Sequence, residues 1–192
     1  MPLAALFDVI IRRDEIPASP AENELITLAV SMHARGLTPS YGPGDHGNLS
    51  CRTPDGFLIS ARETSKRSLR PEQLVSVLAC ERTSQGMRLT VDGRALPSTD
   101  ALMHWKIYAA RPDIGAIVHG HDQEVLKRKE EFGLPTTRIS AKVNSLELID
   151  EVCALSAAHD YLLMRDHGFI ALGATLAAAE ERFMEWFHRA RA

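Results

Sequence analysis

Two histidines with one glycine between them, His119-Gly120-His121, are the residues here whose type and spacing most directly permit chemistry. In an extended segment, residues i and i+2 point to the same face, so both imidazoles can converge on one ion. Two neutral imidazoles suit Zn²⁺ or a similar borderline metal. An isolated His-x-His also occurs on surfaces that hold nothing. His167, beside Gly168 in a turn far along the chain, offers a third nitrogen. Three ligands from separate elements would leave coordination positions for water or substrate; the other reading is a turn histidine bonded to backbone carbonyls. Asp100 stands where a helix starts, after Ser98 and Thr99. The helix dipole favours a carboxylate there whether it moves protons or only caps the helix. Ser98 and Thr99 suit either an anion or ordinary capping.

Gly47-Asn48 closes a glycine-rich loop (Tyr41-Gly42-Pro43-Gly44-Asp45-His46-Gly47) ahead of a strand. It is neither a Walker loop nor a dinucleotide fingerprint. His46 in that loop could reach a site. His104 lies one helical turn before Tyr108 and reads as a structural hydrogen-bonding residue. His33, His159 and His188 read as surface or helix-end groups. Cys51, Cys80 and Cys153 are too few and too scattered for a disulfide framework or a thiolate metal site, and read as small buried apolar residues.

The elements that must position these groups follow from periodicity and punctuation. Ser19-Pro20-Ala21-Glu22 opens a helix that Leu25, Leu28, Ala29 and Met32 continue until Gly36. Leu49–Arg52 and Phe57–Ser60 read as strands around Thr53-Pro54-Asp55-Gly56, and Leu74–Ala79 with Met87–Val91 as a second antiparallel pair. A helix runs from Pro97-Ser98-Thr99-Asp100 to Arg111-Pro112. The buried strand Ile114–Val118 then delivers His119. Gln123–Phe132 is expected to be a short helix, and Asn144-Ser145-Leu146-Glu147 to be the capping box of a helix through Ala158. Tyr161–Met164 and Phe169–Leu172 flank His167, and Thr175 caps a last helix. Interspersed strands and helices imply an α/β domain with considerable antiparallel content.

The chain has 192 residues with 22 Lys and Arg against 25 Asp and Glu, a net charge of −3. That size suits one domain over 1–192. The balance excludes a strongly basic nucleic-acid binder. The apolar run Met1–Ile11 has no basic leader before it, and no stretch approaches the ~20 apolar residues of a membrane span. A cytoplasmic protein is expected.

In order, these pieces resemble the class II aldolase/adducin family: Gly47-Asn48-Leu49-Ser50, then Asp55 to Ser60, Pro97-Ser98-Thr99-Asp100 with His104 and Tyr108, Ile117-Val118-His119-Gly120-His121, and Asp166-His167-Gly168. The resemblance spans about Ala21 to Arg189. It implies a three-layer αβα sandwich around a mainly antiparallel sheet, assembled as a homotetramer with sites between subunits. It implies that His119, His121 and His167 bind a divalent ion, usually zinc, and that Asp100 is the acid/base. It also implies that Gly47, Asn48, Ser98 and Thr99 bind the substrate's phosphate end. The activity implied is a metal-dependent carbon–carbon lyase acting on a small hydroxy-keto substrate through a metal-stabilised enediolate. An epimerase or dehydratase of the same superfamily, and a non-catalytic interaction module of the adducin kind, are the alternatives.

Three departures qualify the substrate and the site. The aldolases usually carry Glu where Asp100 stands, and Asp resembles the pentulose-phosphate 4-epimerase branch. Phosphate-binding members carry Thr/Ser-Gly after the strand ending at Ile59, where this chain has Ser60-Ala61-Arg62-Glu63-Thr64. Glu63 facing the pocket would repel a phosphate, whereas Arg62 could pair with a substrate carboxylate. The tail whose Tyr covers the site in several relatives is also missing after the last helix, so a lid is expected from elsewhere.

Overall fold

The computed structural model describes residues 6–141 and 145–192. Among these, nine strands form one sheet in the order β1-β7-β6-β5-β4-β8-β11-β10-β9. The strands are β1 (Phe7–Arg13), β4 (Asn48–Thr53), β5 (Gly56–Ser60), β6 (Leu74–Thr83), β7 (Gly86–Asp92), β8 (Ala116–Gly120), β9 (Thr136–Ser140), β10 (Tyr161–Arg165) and β11 (Gly168–Gly173). The two-residue strands β2 (Ser40–Tyr41) and β3 (Gly44–Asp45) form a separate small hairpin inside the segment read from sequence as loop.

Alternation along the strands divides the interior into two layers. Phe57, Ile59, Val75, Val77, Ile117, Leu162, Ile170 and Leu172 pack on α2 (Ala101–Ala110) and α5 (Leu146–Ser156). Leu49, Leu58, Val118, Leu163, Phe169 and Ala171 pack on α1 (Ala21–Ala34) and α6 (Leu176–Arg189). Neighbouring residues on one strand thus serve opposite faces, and helices cover both, which makes three layers.

The sheet is mixed, and this corrects the expectation of a mainly antiparallel one. Its outermost pairings, β1 with β7 and β9 with β10, are parallel. Neither edge strand shows in the sequence pattern. β1 has only Phe7 fully buried, and β9 only Thr137, so neither carries an apolar alternation that periodicity could find. Gln123–Phe132 forms two short helices, α3 (Gln123–Lys127) and α4 (Lys129–Phe132), rather than one.

Helix ends follow the expected chemistry in part. Glu22 reaches back to the Ser19 backbone N–H at 2.7 Å, while the Ser19 hydroxyl accepts from Ala21 at 3.3 Å. Ser145 caps α5 by accepting from Leu148 N–H at 3.2 Å, and Thr175 caps α6 through Ala178 N–H at 3.1 Å. Asn144, expected to open the α5 capping box, lies outside the described residues, as do residues 1–5 of the N-terminal apolar run.

Phe183 anchors α6 by stacking on Phe169 with ring centroids 5.4 Å apart, and it is buried. Phe183→Ala is expected to cost about 3–5 kcal/mol. Denaturant unfolding should show this as a lower midpoint with an unchanged slope.

Candidate functional site

The site forms where β4 begins, β8 ends, β10 turns into β11 and α2 starts. Antiparallel pairing sets Asn48 on β4 opposite His119 on β8, and Ile170 of β11 opposite His119 on the other side. By alternation, Asn48 and His119 face the α2 layer. Gly47 carries the loop over the end of β8 with φ of +81°, and a Cβ there would stand 2.8 Å from the His119 carbonyl oxygen. Gly168 is constrained in the same way, since a Cβ would stand 2.2 Å from the Gly120 carbonyl oxygen. Both positions accept only glycine without backbone movement.

Three imidazoles converge. The ligand-capable nitrogens of His119, His121 and His167 lie within 4.8 Å of one another. His119 donates Nδ1–H to the Phe169 carbonyl oxygen at 2.8 Å, which leaves its Nε2 with a free lone pair. That Nε2 lies 3.3 Å from His167 Nε2. Among the described residues, His121 Nε2 is buried with no hydrogen-bond partner. Burial lowers the affinity of all three rings for protons, with the neighbouring histidines adding to this at His121 and His167; His167 is pushed down to about 4. Three neutral imidazoles with their nitrogens facing inward, one of them orphaned, suit a divalent cation.

Asp100 is the residue preceding α2, yet its side chain makes no capping bond. It accepts instead from Asn48 Nδ2 at 2.7 Å, so the carboxylate is turned into the cleft. Its backbone N–H is met by the Ser98 hydroxyl at 3.3 Å. Gly47, Asn48, Arg62, Ser98, Thr99, Asp100, His119, His121 and His167 all line one cleft of about 680 Å³. Arg62 is partly tied back, donating Nε–H to the Pro97 carbonyl at 3.0 Å. Glu63 also lines the cleft, exposed and in the left-handed region with φ of 56°.

Lys66 carries no signal in the sequence. It lines the same cleft but is only 1% exposed. Its ammonium donates over 3.3–3.5 Å to the Thr64 carbonyl and hydroxyl and to the Asp45 carbonyl, all uncharged oxygens. Burial pulls its pKa down to about 8. Nothing in Ser65-Lys66-Arg67 points to this, because adjacent basic residues read as solvated surface. The Asp45 carboxylate is occupied elsewhere, by the hydroxyls of Ser40 and Ser65 and the Lys66 backbone N–H. Burial alone would raise its pKa, but those bonds hold it below the ordinary carboxylate value. His46, whose loop position puts it within reach of a site, packs tilted against His121 with centroids 4.8 Å apart. Tyr41 packs on His46 at 4.5 Å and adds the rim of the cleft.

His104 stands behind the site. Its Nδ1 lies 2.7 Å from the Ser50 hydroxyl, which is 2.8 Å from the Tyr108 hydroxyl. Burial pushes the His104 pKa down to about 3, so the ring is neutral and serves the packing of α2 on β4. His33 is not a free surface group: its Nδ1 lies 3.3 Å from the Asp45 carboxylate.

Comparison with known proteins identifies relatives of this chain. Residues 23–127 match the class II aldolase and adducin N-terminal domain. The chain is 34% identical to the methylthioribulose-1-phosphate dehydratase of Gluconacetobacter diazotrophicus over 55% of its own length and 46% of that protein's. It thus spans under half of that relative. It is 32% identical to the 5-methylthioribulose-1-phosphate/5-deoxyribulose-1-phosphate aldolase of Rhodospirillum rubrum, over 81% of this chain and 72% of that one. A sugar-phosphate aldolase from Thermotoga maritima shares the fold with a TM-score of 0.73 at 18% identity, covering 89% of this chain and 92% of that one. The chain belongs to the class II aldolase and adducin family.

Ser50→Ala is expected to leave buried His104 and Tyr108 each short of a partner and to cost about 1–3 kcal/mol. Thermal unfolding checks the loss, and divalent-metal uptake by the variant should stay at the wild-type level.

Proposed function

We propose that this chain is a metal-dependent enzyme, an aldolase-type lyase that cleaves a carbon–carbon bond in a small hydroxy-keto, sugar-like substrate. The observation that carries this reading is the cluster of His119, His121 and His167 with the orphaned His121 Nε2, set in the same cleft as the carboxylate of Asp100. Zinc is the ion we assign to the three imidazoles. A divalent cation held there supplies Lewis acidity beside the oxygens on which negative charge develops.

Retro-aldol cleavage removes a proton from the hydroxyl β to the carbonyl. The carbon–carbon bond breaks, an aldehyde leaves, and the electron pair passes to the carbonyl side as an enediolate that takes up a proton. Asp100 is the group assigned to proton transfer. Asn48, which donates to it at 2.7 Å, keeps it oriented. Gly47, Asn48, Ser98 and Thr99 receive the substrate's anionic end. Lys66 supplies charge there that the neutral groups lack, and offsets the repulsion of Glu63; Arg62 flanks it. Residues 1–192 act as one domain of a homotetramer in the cytoplasm, with sites completed between subunits.

A dehydratase is the second reading, favoured by the Gluconacetobacter relative. It uses the same groups to remove a proton next to the carbonyl and expel water. A panel of phosphorylated and unphosphorylated hydroxy-keto compounds separates the two, since one releases an aldehyde and the other a dehydrated ketone. Failure of any compound to react, together with no stoichiometric metal in the purified protein, would overturn both and leave an interaction module.

His119→Ala should abolish stoichiometric metal uptake, measured by elemental analysis. Asp100→Asn should keep the metal while lowering kcat roughly 10²–10⁴-fold. Lys66 is protonated below its pKa of about 8 and neutral above it. The KM for an anionic substrate should therefore rise as pH passes about 8, and Lys66→Met should show a raised KM that no longer varies across that interval.

A further inference from the structure

The three metal-binding histidines are not held equally. His119 sits in the ladder between β4 and β11, and its ring is oriented by the 2.8 Å bond to the Phe169 carbonyl. His167 sits in a tight turn whose backbone N–H donates to the Met164 carbonyl at 3.1 Å. His121 lies one residue beyond the end of β8, so no strand pairing holds it. Among the described residues its buried Nε2 makes no hydrogen bond, although ligand imidazoles ordinarily have one that orients the ring. Its backbone is tied by donation to the Leu37 carbonyl at 2.8 Å, and its ring is held only by packing, against His46 at 4.8 Å between centroids.

The next residue, Asp122, is tied far more firmly. Its side chain is 2% exposed. Its Oδ1 caps α3, accepting from Glu124 N–H at 3.1 Å and Val125 N–H at 3.3 Å. Both oxygens also accept from Arg191, Oδ2 from Nη1 at 2.9 Å and Oδ1 from Nη2 at 3.2 Å. Arg191 is itself fixed. Its guanidinium lies 3.6 Å over the Phe187 ring, and Nη1 donates to the Phe187 carbonyl at 3.0 Å. A two-point pair to a buried carboxylate sets an angle as well as a distance.

We propose that Asp122 and Arg191 are positioning residues for the metal site, and that their ion pair sets the direction in which His121 presents its imidazole. The segment just beyond α6, which carries Arg191, thereby controls metal affinity through the residue adjoining a ligand. The inference rests on the proposed metal-dependent function, since it concerns how that metal is held.

The test measures Zn²⁺ affinity of the full chain by competition with a chromophoric chelator, alongside thermal unfolding without metal. Arg191→Ala is compared with Arg12→Ala, which removes a two-point pair outside the cleft lining, where Arg13 stays 3.3 Å from the same carboxylate. Arg12 donates to the fully buried Asp92 through Nε at 2.9 Å and Nη2 at 2.6 Å. Both variants should lose thermal stability, but only Arg191→Ala should weaken zinc binding, by about 10–100-fold. Arg191→Lys, which keeps the charge and one donor, should recover part of that loss. Should Arg191→Ala fail to fold, Asp122→Asn keeps the α3 cap, removes the ion pair and should show the same weakening. Zinc affinity in Arg191→Ala within about twofold of wild type, or an equal loss in Arg12→Ala, would overturn the inference while leaving the proposed function intact. A wild-type protein that takes up no metal would overturn both.

Discussion

The antiparallel register that sets Asn48 opposite His119 is the constraint on which the site depends. Shifting it by one residue would turn both side chains to the other face of the sheet. With it in place, His119 and Asn48 face the α2 layer, and Asn48 reaches the carboxylate of Asp100 at the start of that helix. The neighbouring β8–β11 register brings the turn that carries His167 over the end of β8, where its Nε2 meets that of His119 at 3.3 Å. Gly47 and Gly168 let the backbone close over these strand ends, with no room for a side chain at either point.

Burial then shapes the chemistry. An imidazole taken out of water binds protons less readily, so the three clustered rings stay neutral and their lone pairs stay available. The charged groups in the cleft are few and differently placed. Asp100 is held by a neutral amide, Lys66 by neutral oxygens, and Glu63 stands exposed. A buried cation bonded only through distances of 3.3–3.5 Å is incompletely satisfied, and an anionic group arriving in the cleft would complete it.

Much of this is legible in the sequence because short-range pattern carries it. The alternation in Leu49–Arg52 and Phe57–Ser60, the helical spacing after Ser19 and Thr175, and the turn residues around His167 each correspond to elements of the fold. Chemically distinctive groups are also legible. Histidine spacing and the Ser98-Thr99-Asp100 start of α2 point to residues that all line one cleft. Local pattern does not encode the rest. The edge strands β1 and β9 bury few apolar residues, and their parallel pairing with β7 and β10 is set by crossovers elsewhere in the chain. Lys66 reads as surface, and only the fold tucks it beneath the loop at Thr64.

By itself, then, the sequence determined the α/β elements, the identities of the convergent groups and the family resemblance, because residue type and spacing act over a few residues. Only the tertiary structure decided that the sheet is mixed, that Asp100 turns into the cleft rather than capping its helix, that Lys66 is buried beside it, and that Arg191 grips the residue next to His121. Each of these joins groups remote in sequence, such as Asn48 to Asp100 or Asp122 to Arg191. Such pairings depend on how the sheet and both helical layers close together, and no local pattern contains that information.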